Sequence, residues 1–264
     1  MTPQLMGIVN ATPDSFYDGD PQNNLDTLLA KCTAHIQDGA DMLDIGGEST
    51  RPGATPVSAE EELARTLELI KQVRARWPQL PISQDTFKIP VALEGLKNGV
   101  RIINDVSGTP DPEMFKLVKD FNAQIVIMHS RGTPQTMQTL TQYADLLGEI
   151  KEFLLCKITQ AQQCGLSREQ IIIDPGFGFA KTREQNYHLL AHLSTFKELG
   201  VRMLIGLSHK KFLSQPQEKA PKRKTQTLCA NLLALQAGAD IVRVHDVRET
   251  KKAIRFFTEL EENK

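Results

Sequence analysis

Four cysteines in 264 residues, one tryptophan and no surplus of basic charge mark this sequence at the outset. Cys32, Cys156, Cys164 and Cys229 stand far apart, with no Cys-x-x-Cys pair and no histidine at zinc-finger spacing. That argues against a disulfide scaffold and a structural zinc, and predicts reduced, partly buried thiols. Lysine and arginine number 31 against 32 acidic residues, a net charge of -1. Proteins that bind nucleic acid by releasing its counterions carry a basic excess or stripe, so no nucleic-acid partner is expected. No apolar run approaches the roughly 18 to 20 residues that span a bilayer, and no basic, apolar leader opens the chain. The expectation is a cytoplasmic protein with no membrane partner. Signatures of nucleotide binding and of serine-hydrolase chemistry are missing as well. There is no Gly-x-Gly-x-x-Gly fingerprint opening a helix, no phosphate-binding Gly-x-x-x-x-Gly-Lys-Ser/Thr loop and no Gly-x-Ser-x-Gly nucleophile elbow.

What the chain does have is regular alternation. Short apolar runs fall at Leu5 to Val9, Met42 to Ile45, Pro81 to Ser83, Arg101 to Ile103, Gln124 to Met128, Ile171 to Ile173, Met203 to Leu207 and Ile241 to Val244. Between them lie stretches of helical periodicity: Leu25 to Asp38, Ala59 to Arg76, Pro90 to Asn98, Pro112 to Phe121, Tyr143 to Cys164, Thr182 to Leu199, Thr225 to Ala237 and Glu249 to Glu261. Runs this short and apolar on both faces suit a parallel sheet covered by helices. Eight consecutive βα units in about 250 residues favour a closed (βα)8 barrel, a single α/β domain over 1–264. Ser58 ahead of Glu60 and Glu61 reads as a helix cap, and Gly39, Gly165, Gly200 and Gly238 read as left-handed helix ends. The stretch PQEKAPKRK, Pro216 to Lys224, reads as a solvated basic loop.

A parallel barrel places its site at the C-terminal ends of its strands. Those ends read Asn10, Asp44, Asp85, Asn104 with Asp105, His129, Asp174, Ser208 with Lys210, and Arg243 with His245. One such residue is ordinary turn chemistry. Polar groups at all eight ends predict a ring around a ligand pocket. Arg243 and His245, two residues apart on one strand, share a face and, with Asn10, suit an anion or a metal-phosphate group. Asp85, Asn104, Asp174 and Lys210 combine acceptors and donors, as a flat heterocycle with an amidine-like edge requires. Two long βα connections, ATPDSFYDGDPQNN and GGESTRPGATPVS, read as lids or clamps, the second carrying Thr50, Arg51 and Pro52.

Taken in order, MGIVNATPDSF, DIGGESTRPGA, QDTFK, INDVSG, MHSRGTPQTMQ, DPGFGFAKT, GLSHKKF and RVHDV resemble the dihydropteroate synthase family over nearly the whole chain. The resemblance implies an eight-stranded βα barrel and a magnesium-assisted condensation. In it p-aminobenzoate displaces diphosphate from (7,8-dihydropterin-6-yl)methyl diphosphate. It implies Asp85, Thr50, Arg51 and Lys210 as the catalytic set and Asn10 as the metal ligand. It gives the pterin Asp85, Asn104, Asp174 and Lys210, and the diphosphate Arg243 and His245. Thr50, Arg51, Pro52, Ser208 and Lys210 would surround p-aminobenzoate, with Met128, Phe179 and Gly206 among the substrate-binding residues. It also implies a homodimer, formed through the late helices. Two departures stand out. Ser208-His209-Lys210 replaces the usual Ser-Arg-Lys, which puts the p-aminobenzoate subsite in question, and Gln84 replaces an apolar residue, with its own hydrogen-bond partner expected between barrel and helices. A pterin-dependent methyltransferase and a non-catalytic pterin-binding relative are the alternatives; STRPG with SHKKF speaks against the first, the intact polar set against the second.

Overall fold

The structure, a computed structural model, describes residues 3–12, 21–50, 53–108, 111–214 and 223–263. Along the chain run β1 (Gln4–Asn10), α1 (Pro21–Gln37), β2 (Met42–Gly46), α2 (Ala59–Arg76), β3 (Ile82–Asp85), α3 (Ile89–Lys97), β4 (Ile102–Asp105) and α4 (Pro112–Asp120). Then follow β5 (Gln124–Met128), α5 (Leu146–Gln163), β6 (Ile171–Asp174), α6 (Arg183–Ala191), β7 (Arg202–Ile205), α7 (Lys224–Gln236), β8 (Ile241–Val244) and α8 (Val247–Glu261). The strands pair in sequence order, all parallel, and β1 closes on β8 with Gln4 opposite Ile241, so the sheet is a closed barrel. No helix among the described residues is long and apolar enough to cross a membrane.

Successive strand residues point to opposite faces, so closure sorts each strand into two sets. Met6, Met42, Ile102, Val126, Ile172, Leu204 and Ile241 fill the lumen as one apolar layer. Their neighbours Leu5, Leu43, Ile103, Ile125, Ile127, Ile171, Ile173, Ile205 and Val242 join the larger core against the helices. Counting two residues up from the lumen layer gives Ile8, Asp44, Asn104, Met128, Asp174, Gly206 and Arg243. The sheet thus delivers the polar set to the top of the lumen as a consequence of register.

Most differences from expectation lie at boundaries. β3, β4 and β6 run on through Asp85, Asp105 and Asp174, because polar residues at the strand ends stay in the ladder; Asp85 pairs with Gly46 and Asn104, and Asp105 with Ile127. β7 stops at Ile205, ahead of Gly206. The predicted helix Thr182 to Leu199 breaks at His192, and tight 3-10 turns carry Leu193–Leu199. Ser58 caps α2 as expected, its Oγ accepting from Glu61 N at 3.2 Å, and Gly39, Gly165, Gly200 and Gly238 all have positive φ. Cys32 is buried and Cys164 half-buried, but Cys156 and Cys229 are exposed, contrary to the expectation of partial burial. Residues 216–222 of the basic stretch lie outside the described residues. Arg223 at its end is buried, donating to Ser214 Oγ at 2.7 Å and to His209 O at 3.0 Å, so the solvated-loop reading fails there.

Gln84 points between barrel and helices as expected, yet without the expected partner: it is buried, and neither its Oε1 nor its Nε2 is hydrogen-bonded. The space it uses is Gly95 on α3, where an added Cβ would lie 1.8 Å from Gln84 Oε1. Gly95→Ala should therefore cost about 1–3 kcal/mol through overpacking. In a Gln84→Ala background the same change should be neutral or stabilising, since alanine outranks glycine in a helix by about 1 kcal/mol. Chemical denaturation of the four chains of this cycle checks the coupling.

Candidate active site

At the top of the lumen a buried charge network joins β2, β3 and β4 to β8. Asp44 on β2, fully buried, takes Ser83 Oγ on Oδ1 at 2.5 Å. Its Oδ2 accepts from Asn104 Nδ2 at 3.1 Å and from Arg243 Nε at 2.6 Å. Arg243 on β8 also gives Nη2 to Asp85 Oδ2 at 2.7 Å. One guanidinium thus faces two carboxylates. Burial pushes the Asp85 carboxyl up to about 7; Arg243 opposes this, and Asp44, Glu62 and Asp105 add to it. The Arg243 guanidinium loses hydration by burial, but Asp44 and Asp85 more than compensate and hold it charged. Its side chain keeps 21% exposure, so a ligand in the lumen reaches it.

Asp174 ends β6 and accepts Gly176 N on Oδ1 at 2.7 Å. Burial raises its pKa, against the Gly176 N–H and the charges of Lys210, Lys181 and Arg243. Beside it, Lys210 lays its ammonium over the Phe179 ring, 4.3 Å from the centroid. At Gly206 an added Cβ would meet nothing within 4 Å, which leaves open room on the lumen face between Asp174 and Arg243. Asn10 closes β1 half-buried on the same face by register.

At the β7 and β8 ends, Ser208 Oγ lies 3.0 Å from His245 Nδ1 and accepts His245 N at 3.2 Å. Ser208 thus fixes the His245 ring through Nδ1. His209, with φ 56, turns its ring away to Asp246, Nε2 to Oδ2 2.6 Å, and Asp246 also pairs with Lys224. The residue that departs from the family pattern is therefore held by the β8–α8 junction.

Of the connections expected to act as lids, residues 13–20 and both Arg51 and Pro52 lie outside the described residues. The rest of the second loop is anchored at both ends. Glu48 shares Lys88 with the buried Glu62 and accepts Val57 N. Farther along, Gly53 N donates to Pro134 O at 3.0 Å and Gln135 Nε2 to Ala54 O at 2.5 Å, so this loop meets the one after β5. Thr50 lies between those anchors.

A family model described as "Pterin binding enzyme" matches residues 6–245. A dihydropteroate synthase of Synechocystis is 47% identical over 248 residues, covering 92% of this chain and 85% of that protein. The chain belongs to the dihydropteroate synthase family. Two solved dihydropteroate synthases extend the likeness to the whole backbone. One, from Yersinia pestis in complex with a sulfonamide drug, has a TM-score of 0.92 at 36% identity and covers 99% of this chain and 95% of its own. Another, from Xanthomonas albilineans in complex with 7,8-dihydropteroate, has a TM-score of 0.88 at 37% identity, with 98% and 94% covered.

Within this dihydropteroate synthase barrel, Asp85, Asn104, Met128, Asp174, Gly206 and Arg243 gather on the lumen face, with Lys210 and Phe179 in contact beside them. Asp105 and His129, expected in the ring, do not join it. Both follow the parity of the outward core positions Ile103 and Ile127. Asp105 accepts Ser107 N and Oγ at 2.9 and 2.6 Å, while the His129 ring packs edge-on to Phe153. Arg243, expected at an anion, spends two donors on carboxylates. Asp44, given no role beyond the ring, is the hub. Its period-two partnership with Met42 marked it as inward, but only the fold shows which cation it meets. Removing that cation leaves a fully buried carboxylate uncompensated. Arg243→Met should cost about 3–5 kcal/mol, and adding Asp44→Asn should recover part of it; equilibrium urea unfolding of the single and double variants measures both.

Proposed function

We propose that the lumen holds the pterin and that its carboxylates stabilise positive charge as the pterin C–O bond breaks. The chain carries the family's activity, dihydropteroate synthesis, in which p-aminobenzoate displaces diphosphate from (7,8-dihydropterin-6-yl)methyl diphosphate. Support for a dissociative course comes chiefly from one observation: two carboxylates share the Arg243 guanidinium, which the β7–β8 register puts level with the open space at Gly206. The reacting carbon is a methylene on an electron-rich ring, so positive charge builds on the pterin while negative charge leaves with diphosphate. Neither half needs a protein nucleophile. Fixed charge aimed at each developing charge lowers the barrier.

In this reading Asp174 accepts from the amino and ring N–H edge of the pterin, and Asn104, its amide nitrogen spent on Asp44, offers its oxygen. Met128 and Phe179 wall the ring, with Lys210 over Phe179. Arg243, through its remaining N–H groups, and His245 hold the diphosphate. Thr50, Arg51, Pro52, Ser208 and Lys210 surround p-aminobenzoate, whose free amine attacks once the loops exclude water. Ser208, with its hydroxyl on His245, serves the diphosphate side as well.

Magnesium fits as an ion carried by the substrate. Among the described residues no group of three His, Cys, Asp or Glu side chains is placed to hold a metal, and Asn10 alone presents one neutral oxygen at the lumen edge. Magnesium usually keeps several waters and takes few protein ligands, one or two carboxylates beside substrate phosphates, so a lone amide oxygen would leave most of its hold to the diphosphate. Asn10 would hold it there, and when bound it would neutralise charge on the departing diphosphate. A homodimer is supported by Leu233 on α7 and Phe256 and Leu260 on α8, large apolar side chains that are more than half exposed. A cytoplasmic setting is in keeping with four unpaired thiols.

The purified chain, given the pterin diphosphate, p-aminobenzoate and magnesium, should form 7,8-dihydropteroate; no product at micromolar enzyme overturns the reading. Asp85→Asn should lower kcat by about 10²-fold or more, and Arg51→Ala should lower kcat more than it weakens pterin binding. Asp174→Ala should abolish pterin binding, and an unchanged Kd would remove it from the site.

A further inference from the structure

Lys181 stands between the loop 175–180 and the Thr182 cap of α6. It is 3% exposed, and lysine is almost never buried to this degree unless its charge is partnered. Its Nζ lies 3.0 Å from His129 Nδ1, 2.9 Å from Gly176 O and 3.1 Å from Phe179 O. An ammonium has three N–H donors, and this arrangement uses all three. The third acceptor is a lone pair on a neutral imidazole: burial, then the charges of Lys181 and Arg131, push the His129 pKa down to about 2. The tripod spans the tightest approach in the region. Gly176 has φ 75, and an added Cβ there would lie 1.8 Å from His129 O.

The far side of this loop is a wall of the active site. Gly176 N holds Asp174 Oδ1, Phe179 carries Lys210 on its ring, and Gly178 touches the Lys210 stem, where an added Cβ would be 3.1 Å from Cδ. The charges facing Asp174 are Lys210, Lys181 and Arg243, and the last is shared with Asp44 and Asp85. Those facing Lys181 are Asp174, Lys210 and Arg131, the last paired with Glu149 over the Tyr143 ring. Burial lowers the Lys181 pKa to about 7, Asp174 opposes this, and Lys210 and Arg131 add to it. Lysine and aspartate therefore each sustain the other's charge in a site that disfavours both.

We propose that Lys181 is a positioning residue of the pterin site: its buried ammonium ties the loop after β6 to the end of β5 and keeps the Asp174 carboxylate in its charged, hydrogen-bond-accepting form. The inference rests on the pterin role of Asp174 given above. Its test is the Kd for 7,8-dihydropteroate from pH 5 to 9 in the full chain, in Lys181→Met and in Lys181→Gln. Binding to the parent should weaken as pH falls and Asp174 takes a proton. Both variants lack the cation, so their acid limbs should move to higher pH. At pH 6.5, where Lys181 holds its proton, the Met variant should bind about tenfold more weakly, the scale of one lost hydrogen bond, and the gap should narrow above pH 7 as the parent's Lys181 gives up its charge. Glutamine still donates to the two carbonyls and should lose less. Acid limbs that stay in place, with or without weaker binding, overturn the proposal, and so does failure of both variants to fold. Asp174→Asn separates the two ideas. If it binds like the parent, the pterin reading fails; if it loses binding while the Lys181 limbs stay put, only the Lys181 inference fails.

Discussion

Arg243 lies between Asp44 and Asp85, and the electrostatic character of the barrel mouth follows from that one shared guanidinium. A matched ion pair would leave the lumen neutral. Here the second carboxylate is unbalanced, in surroundings dry enough to raise its pKa to about 7. In the dissociative course proposed above, that carboxylate, once ionised, faces the charge building on the pterin with no reorganisation when the bond breaks. The same arginine keeps part of its side chain exposed, where the proposed diphosphate would meet it.

Around this centre the supports are local and redundant. Ser83 and Asn104 hold Asp44 from neighbouring strands. Ser208 fixes His245 across the β7–β8 gap. The second loop is fastened to α2 and α3 by the Glu48–Lys88–Glu62 cluster and meets the loop after β5 through backbone contacts. Buried ion groups of this kind add little net stability, since desolvation offsets attraction. Their product is fixed geometry, which substitution chemistry without a protein nucleophile depends on.

The barrel was legible because period-two burial and glycine-ended helices repeat eight times, and two strands and α2 match their expected limits. Strand ends were read short where inward aspartates interrupt an apolar run, although Asp85 and Asp174 keep their ladder partners. The lumen set Asp85, Asn104, Asp174 and Arg243 was legible from residue type at strand ends. Facing was not: Asp105 and His129 turn outward by one residue of register, a distinction that needs the strand limits first. Nor was partnership. Asp44 and Arg243 are 199 residues apart, and nothing local in either segment names the other. Lys181 was hidden for a further reason. Its position in the sequence resembles an exposed helix approach, and only the fold of the loop turns it inward.

The same separation has a consequence for synthesis. Asp44 and Asp85 leave the ribosome 199 and 158 residues before the arginine that neutralises them. At about 5–20 residues per second, Asp44 waits roughly 10–40 s. During that interval the half-made sheet has an open edge at β1, and its two acids have no reason to leave water. Premature closure of a shorter barrel would bury them without a cation. Burial of the two acids is therefore compensated only once β8 brings Arg243 to complete the ring.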